Sequence, residues 1–275
     1  MLPAMPFVLS KIMECVDDPL SSAADLKRII LEDQAITAKV LSLANSAAYG
    51  QEKRVTDVAR AVVIVGFHTV YQLAAGASLA NSLGKDLTSS ELDLFEFWKY
   101  SVACGESARR VAEISGYGAK EQAYMFGLLH DLGKLILLRL FKAEYEDVLF
   151  MARAEGQPLH EAELARFEFD HTDAGRWLGQ QWKLPGKILP AITFHHTLNR
   201  VPEEAAREIF LCHVAEYLAR TARVGQNGDG SPPVLHDRSA SLFGMTASRA
   251  HAQVQWLQKR APAIEAMTKE LVKPQ

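Results

Sequence analysis

The chain has 275 residues, 48% of them hydrophobic, which is enough to bury one large core or two modest ones and excludes a globally disordered chain. Thirty Lys and Arg against 33 Asp and Glu leave a formal charge of −3, and the basic residues are spread along the chain, so the footprint of a nucleic-acid binder is missing. Cys15, Cys104 and Cys212 stand far apart in helical patterns, which suits neither a disulfide framework nor a zinc knuckle and points to a reducing cytoplasm.

The start, Met-Leu-Pro-Ala-Met-Pro, lacks the basic and apolar regions of a signal peptide. No window reaches the roughly 18 to 20 apolar residues of a membrane span. The nearest, residues 59–79, is broken by Arg60, His68 and Gln72, so a soluble protein with no membrane insertion is expected. An extended arm over 2–6 precedes a helix at 7–16. The stretch Ser21 to Asp25 supplies capping residues for a helix through Leu31, and Asp33 opens another whose apolar face carries Ile36, Val40, Leu41, Leu43 and Ala44, with Gly50 as its stop. Residues 56–65 and 68–83 read as two helices hinged at Gly66, and the small residues of 74–80 suit close packing.

The polar break at 86–90 divides a single domain into an N-terminal helical lobe, 1–88, and a larger helical lobe, 89–275. Helices follow at 91–115, 121–140, 142–154, 158–167, 172–182, 185–194, 201–223, 239–242 and 246–267. In the central one, 121–140, Gly127 permits close approach and Gly133 relaxes the geometry. Residues 225–233, rich in Gly and Pro, form the expected mobile loop. With no alternating strand pattern and no internal repeat, the fold class is all-α.

The polar residues of interest begin with His130 and Asp131, set in the apolar run Met125 to Leu137. Consecutive helical residues stand about 100° apart, yet both of these side chains can reach one ion. A buried ionised Asp demands a partner. Downstream come His171, the pair His195 and His196, then His213 and Glu216, each at the edge of or within an apolar helical segment. Imidazole with carboxylate suits Fe, Mn, Zn or Ni, and two such ions supply the two-metal route to phosphoester hydrolysis. A plainer alternative stands beside each: a hydrogen-bonded core pair for His130 and Asp131, a helix cap for His171, one inward and one outward ring for His195 and His196, and helix packing for His213. His68, His160, His236 and His251 lack comparable company, and no phosphate-cradling loop, Gly-x-Ser-x-Gly or nucleophilic cysteine is present.

These residues resemble the HDOD family, the output-domain relatives of the HD and HD-GYP phosphohydrolases. The likeness runs from Leu2 to at least Leu218 and is carried by Leu-Pro-Ala-Met-Pro at 2–6, Ile30-Leu-Glu-Asp33, Ala38 to Ser46, Ala61 to Gly66, Phe97-Trp98, Ala123 to Leu137, Asp170-His171, Trp182-Lys-Leu-Pro185 and Ala191 to His196. The resemblance implies an HD-domain-like helical core with a small N-terminal helical lobe, in a bacterial, cytoplasmic signalling module. It assigns His130 and Asp131 to the paired ligands of the superfamily, His171, His195 and His196 to the further histidines of its dinuclear branch, and Glu216 to the last carboxylate, which is usually Asp. Together these would hold one or two divalent transition-metal ions, Fe, Mn, Zn or Ni.

Tyr100 stands where the first histidine is expected, and a phenol with a pKa near about 10 is a poor ligand at neutral pH. The Gly-Tyr-Pro signature is absent, and Gln34 and Glu168 replace a frequent proline and a frequent glycine. The expected function is therefore a regulatory module that works through contacts with a signalling protein and not through turnover. The alternative is a metal-dependent phosphohydrolase acting on a nucleotide or cyclic dinucleotide.

Overall fold

Short polar side chains set the helix starts. Ser22 forms a reciprocal capping box with Asp25, while Asp33, Asp57, Asp93 and Asp170 each accept hydrogen bonds from the first free amides of the helix they precede. The computed structural model describes residues 3–17, 21–50, 53–84 and 86–273, so Leu2 at the head of the expected arm lies outside the described residues. The chain is all-α: among the described residues there is no strand. Nor is any single helix among them long and apolar enough to cross a membrane.

Described residues up to 84, with 262–273, form one compact unit, and 86–261 form a second. The first unit holds α1 (Phe7–Asp17), α2 (Ala23–Leu31), α3 (Gln34–Ala44), α4 (Val58–Val65) and α5 (Phe67–Leu79). Gly66, at φ 91°, joins α4 to α5 through a bend of 112°. The sequence reading placed the C-terminal residues in the larger lobe, whereas 262–273 belong to this first unit. Two contacts account for it. Buried Lys39 donates to the carbonyls of Glu270 (3.0 Å), Leu271 (3.2 Å) and Lys273 (2.6 Å), capping the last turns of the chain. Gly76 gives Leu271 its place, since a Cβ there would meet Leu271 Cδ1 at 2.4 Å.

The second unit is built on α6 (Leu94–Ser115), against which α7 (Lys120–Leu129) and α13 (Ala206–Ala222) pack. Its other helices are α8 (Leu132–Leu140), α9 (Lys142–Glu155), α10 (Leu159–Phe167), α11 (His171–Gln181), α12 (Ile188–Phe194), α14 (Asp237–Leu242) and the first part of α15 (Ala247–Val272). The expected central helix over 121–140 is two helices, α7 and α8, parted at His130 and Asp131. Asp131 leaves helical geometry at φ −97°, ψ 7°, and its carboxylate caps no amide of α8 because it is engaged elsewhere. Gly133 does not relax this turn. A Cβ on it would come within 1.8 Å of the His171 carbonyl oxygen, so the missing side chain lets α11 lie directly on α8.

The ends of α12 and α13 are pinned by Glu208. Its carboxylate accepts from the Tyr117 hydroxyl (2.5 Å) and from Lys187 (2.6 Å), and these bonds outweigh burial to hold its pKa below the usual glutamate value. A group lowered in this way contributes stability above its unfolded pKa and loses it as pH falls through the folded one. Lys187 is 58% exposed, which limits the ion pair to a modest share. Glu208→Gln is therefore expected to cost about 1 kcal/mol at pH 7, the difference from wild type closing in thermal melts taken progressively below about pH 4.5. Glu168, which follows α10, adopts φ 65°, a left-handed conformation that a side chain resists. Glu168→Gly should raise stability by about 0.5–1 kcal/mol, read as an upward Tm shift of roughly 1–3 °C.

Candidate metal centre

Every residue that converges here is placed by its backbone before its side chain acts. His130 ends α7 and Asp131 begins α8, so the two side chains leave the same turn. His171 is the first residue of α11. Asp170 caps that helix, accepting from the amides of Thr172 (2.8 Å) and Asp173 (3.2 Å), so the His171 ring is free for other use. His195 and His196 follow α12, and Glu216 projects from α13.

The structure brings these into two groups whose ligand atoms lie within 4.8 Å of one another: Asp131, His171, His195 and His196 in one, and His130, His195 and Glu216 in the other. Asp131 Oδ1 faces His171 Nε2 at 3.3 Å and His195 Nε2 at 3.7 Å. Its Oδ2 faces Lys134 Nζ at 2.7 Å, His130 Nε2 at 3.3 Å and the Asn227 amide at 3.3 Å. His171 and His196 approach through their Nε2 atoms at 3.1 Å. All of these residues are buried except His196, which is half-buried and stacks on His160 with ring centroids 4.3 Å apart.

The far side of three rings is already committed. His130 Nδ1 lies 2.7 Å from the Gly127 carbonyl, His195 Nδ1 lies 2.8 Å from the Ile192 carbonyl, and His171 Nδ1 lies 2.6 Å from Glu163 Oε2. Carbonyls and carboxylates only accept, so each Nδ1 carries a proton and each Nε2 faces inward, where it offers a lone pair once the ring is neutral. Those inward atoms lack partners: His130 Nε2, His195 Nε2 and Asp131 Oδ1 are buried without a hydrogen bond. Orphaned buried acceptors are costly, and a cation satisfies them. Imidazoles anchored on their outer nitrogen and aimed inward with a carboxylate are the donor set of a divalent transition ion, so the residues fit such a group.

The electrostatics follow the same layout. Burial works against ionising Asp131, but His130 and Lys134 hold its pKa well below the usual value. Burial also opposes charge on His171, and Glu163 outweighs it, lifting the ring to about 10. Burial lowers His195, and lowers His196 further with the help of its histidine neighbours. Tyr100, beside His130 at 5.9 Å between ring centroids, is pushed well above 10 by burial and then by Cys104, Glu216 and Asp131. It remains a neutral phenol.

Five contributors escaped the sequence reading. Glu163 is wholly buried and accepts from the His171 backbone amide (2.8 Å), its ring and the Tyr145 hydroxyl (2.7 Å). Lys134 follows Asp131 by one helical turn, and that spacing was its available signal. Asn227 comes from the loop expected to be mobile, which is instead bound in: its carbonyl accepts from Lys134 at 3.3 Å, and Gly225 abuts the Tyr100 backbone so closely that a Cβ would meet Tyr100 N at 2.3 Å. Arg220 ties that loop to α13, contacting Asp229 (3.2 Å), Ser231 and Glu216 (3.5 Å). His160, read as ordinary, lines a cavity of about 370 Å³ that reaches His195, His196 and Glu216, as does His213, which the sequence reading had weighed as a helix-packing residue.

Comparison with known proteins agrees with this architecture. The HDOD domain pattern matches residues 2–198. An uncharacterised protein of Treponema pallidum (strain Nichols) is 29% identical over 208 residues, covering 74% of this chain, which spans only 39% of that curated relative's length. Among solved structures, an HDOD domain protein of unknown function from Geobacter sulfurreducens superposes with a TM-score of 0.80 at 25% identity, covering 98% of this chain and 93% of that one. A Marinobacter aquaeolei VT8 protein, provisionally described as a signal transduction protein, gives 0.84 at 22% identity over 99% and 60% of the two chains. One from Shewanella amazonensis SB2B, provisionally described as a phosphohydrolase, gives 0.70 at 21% identity over 98% and 95%.

Glu163 fixes both the direction and the tautomer of His171, so its loss should weaken metal binding without unfolding the chain. Glu163→Gln is expected to lower zinc affinity about 10- to 100-fold in competition with a chromogenic chelator, with the far-ultraviolet helical signal unchanged.

Proposed function

Because the chain belongs to the HDOD domain family, we propose that it is a signal-transduction output module, which carries a divalent transition-metal centre and acts through contacts with a signalling protein, not through turnover. The observation that carries this reading is Tyr100. A neutral, buried phenol sits beside His130 where a further nitrogen donor would complete the set around the His130 and Glu216 side of the centre. Asp131 Oδ2, the carboxylate oxygen facing that side, already accepts from the Lys134 ammonium. When bound, a divalent ion at the other side supplies Lewis-acid charge to whatever reaches it. This chain's residues hold the carboxylate and fix the three inward nitrogens. The Marinobacter neighbour, provisionally described as a signal transduction protein, is compatible with such a role.

A second reading, a metal-dependent phosphohydrolase acting on a nucleotide or cyclic dinucleotide, is favoured by one observation. The cavity of about 370 Å³ opens onto His195 and His196 and carries the Arg220 guanidinium, which suits a phosphate. The Shewanella neighbour provisionally described as a phosphohydrolase points the same way. An assay separates the two. Protein loaded with manganese, iron or zinc should hydrolyse bis-p-nitrophenyl phosphate and cyclic dinucleotides no faster than its His195→Ala variant. Metal-dependent turnover well above that variant overturns the first reading in favour of the second.

A further inference from the structure

We propose that the exposed face formed by Phe141, Leu164, Phe167 and Phe169 is the docking surface for a second copy of this chain, joined across a two-fold axis that sets Arg166 of one copy against Glu168 of the other. Such a contact requires neither a metal nor turnover.

Three rings make the centre of this face. Phe141 stands at the junction of α8 and α9, Phe167 ends α10, and Phe169 follows two residues later. Ring centroids lie 5.4 Å apart for Phe141 and Phe167, 5.9 Å for Phe167 and Phe169, and 6.2 Å for Phe141 and Phe169, which is the spacing of a packed aromatic cluster. Clusters this close belong in cores, yet Phe141 is 36% exposed and Phe167 and Phe169 are half-buried. Leu164, one helical turn before Phe167 and so on the same side of α10, is 42% exposed.

The face is held from behind. The Phe141 amide donates to the Leu137 carbonyl and its carbonyl accepts from the Tyr145 amide, both at 2.8 Å. The ring of Tyr145, wholly buried, lies 6.5 Å from that of Phe167, and its hydroxyl is fixed on Glu163 at 2.7 Å. Rings anchored in this way lose little freedom on docking, and aromatic side chains beside an arginine are characteristic anchors of protein interfaces.

The charges around the rings identify the occupant. Lys142, Glu144, Arg166 and Glu168 are all exposed, and among the described residues none of them forms an ion pair. Lys142 donates only to the Thr88 hydroxyl at 3.0 Å, and the Arg166 guanidinium lies over the Phe167 ring, 5.4 Å from its centroid. Each cation is two residues from a carboxylate, a spacing that does not bring side chains face to face on a helix. A strongly acidic or strongly basic partner would meet like charge at two of the four. The same face turned about a two-fold axis meets all of them with opposite charge, because such an interface pairs residue i with j and j with i. An axis beside Phe167 sets that ring against its own copy and brings Arg166, just before it, to Glu168, just after it, twice over.

Glu168 adds an observation of its own. It holds φ 65°, where glycine is the easier residue, and no ion pair within the chain offsets the strain. A strained residue whose side chain is idle at home is explained by a contact made outside the chain.

Sedimentation equilibrium of the full chain between about 5 μM and 500 μM tests the contact, and the average mass should rise toward twice that of one chain. Leu164→Asp should weaken the association at least about 10-fold. A wild-type chain that stays single over this range overturns the proposal, and so does a dimer that Leu164→Asp leaves intact.

Charge reversal reads the pairing. Arg166→Glu and Glu168→Arg should each weaken association about 10-fold, since each introduces two like-charge contacts per dimer, and the double variant should return to within about threefold of wild type. A double variant as weak as the two losses combined overturns the pairing. Glu168→Gly, expected to stabilise the chain, should nevertheless weaken the dimer about threefold, and unchanged association there overturns the role given to Glu168. If Leu164→Asp does not fold, the wild-type mass and the charge reversals still decide the surface.

Discussion

An ionised carboxylate in a helical core is tolerated only when its lone pairs are filled, and the second unit is arranged around meeting that condition at Asp131. Lys134, one turn further along α8, meets it first, with an ammonium as buried as the carboxylate itself. That ammonium needs acceptors of its own, and the Asn227 carbonyl is one of them. A loop of small and polar residues is thereby drawn into the core. Its path is narrow: Gly225 passes against the Tyr100 backbone and Gly230 against the Ala152 carbonyl, both at distances that leave no space for a Cβ. The same carboxylate, held on one side by Lys134 and on the other by imidazoles, is unavailable to cap α8, so the chain turns there instead of continuing as one helix.

Close helix approach sets how far each imidazole has to reach. At Gly133 α8 and α11 touch backbone to backbone, and Gly175 on the facing helix lies against the same glycine. His171, the first residue of α11, is consequently delivered to Asp131 by main-chain packing, and Glu163 only has to orient the ring. Gly127 performs the equivalent service between α7 and α6, where a Cβ would strike the Cys104 carbonyl. The geometry of the centre is thus a property of helix packing, and its stiffness comes from contacts that side-chain rotation cannot relax.

Much of this was legible in the sequence because it depends on local chemistry. The caps at Ser22 and Asp33, the hinge at Gly66 and the all-helical pattern follow from spacing and turn residues, and the His130-Asp131, His171 and His195-His196 pieces stood out by type. What stayed hidden depends on contacts between segments distant in sequence. Nothing within α10 marks Glu163 as the partner of His171, and a Gly and Pro-rich stretch reads as a mobile loop unless the buried cation that binds it is known. The break at Asp131 was hidden for a related reason: helix periodicity continues across it, and the turn comes from competition for its carboxylate. The C-terminal turns joined the smaller unit through Lys39, whose three carbonyl partners lie more than 200 residues away in sequence.

A set of inward-facing imidazoles and a set that performs chemistry are separated here by a few contacts. Tyr100 stands beside His130 and Lys134 donates to Asp131 Oδ2 on one side, while His171 and His195 face Asp131 Oδ1 on the other. An ion held by Asp131, His171, His195 and His196 would join the start of α8, the start of α11 and the segment after α12, and would share Asp131 with Asn227 of the 225–233 loop. Free ion at 100 times its dissociation constant stabilises the bound form by about 2.7 kcal/mol. A stabilisation of that size is a substantial part of what holds a domain folded, and a bound ion would place it on the helix ends that Asp131, His171 and His195 join.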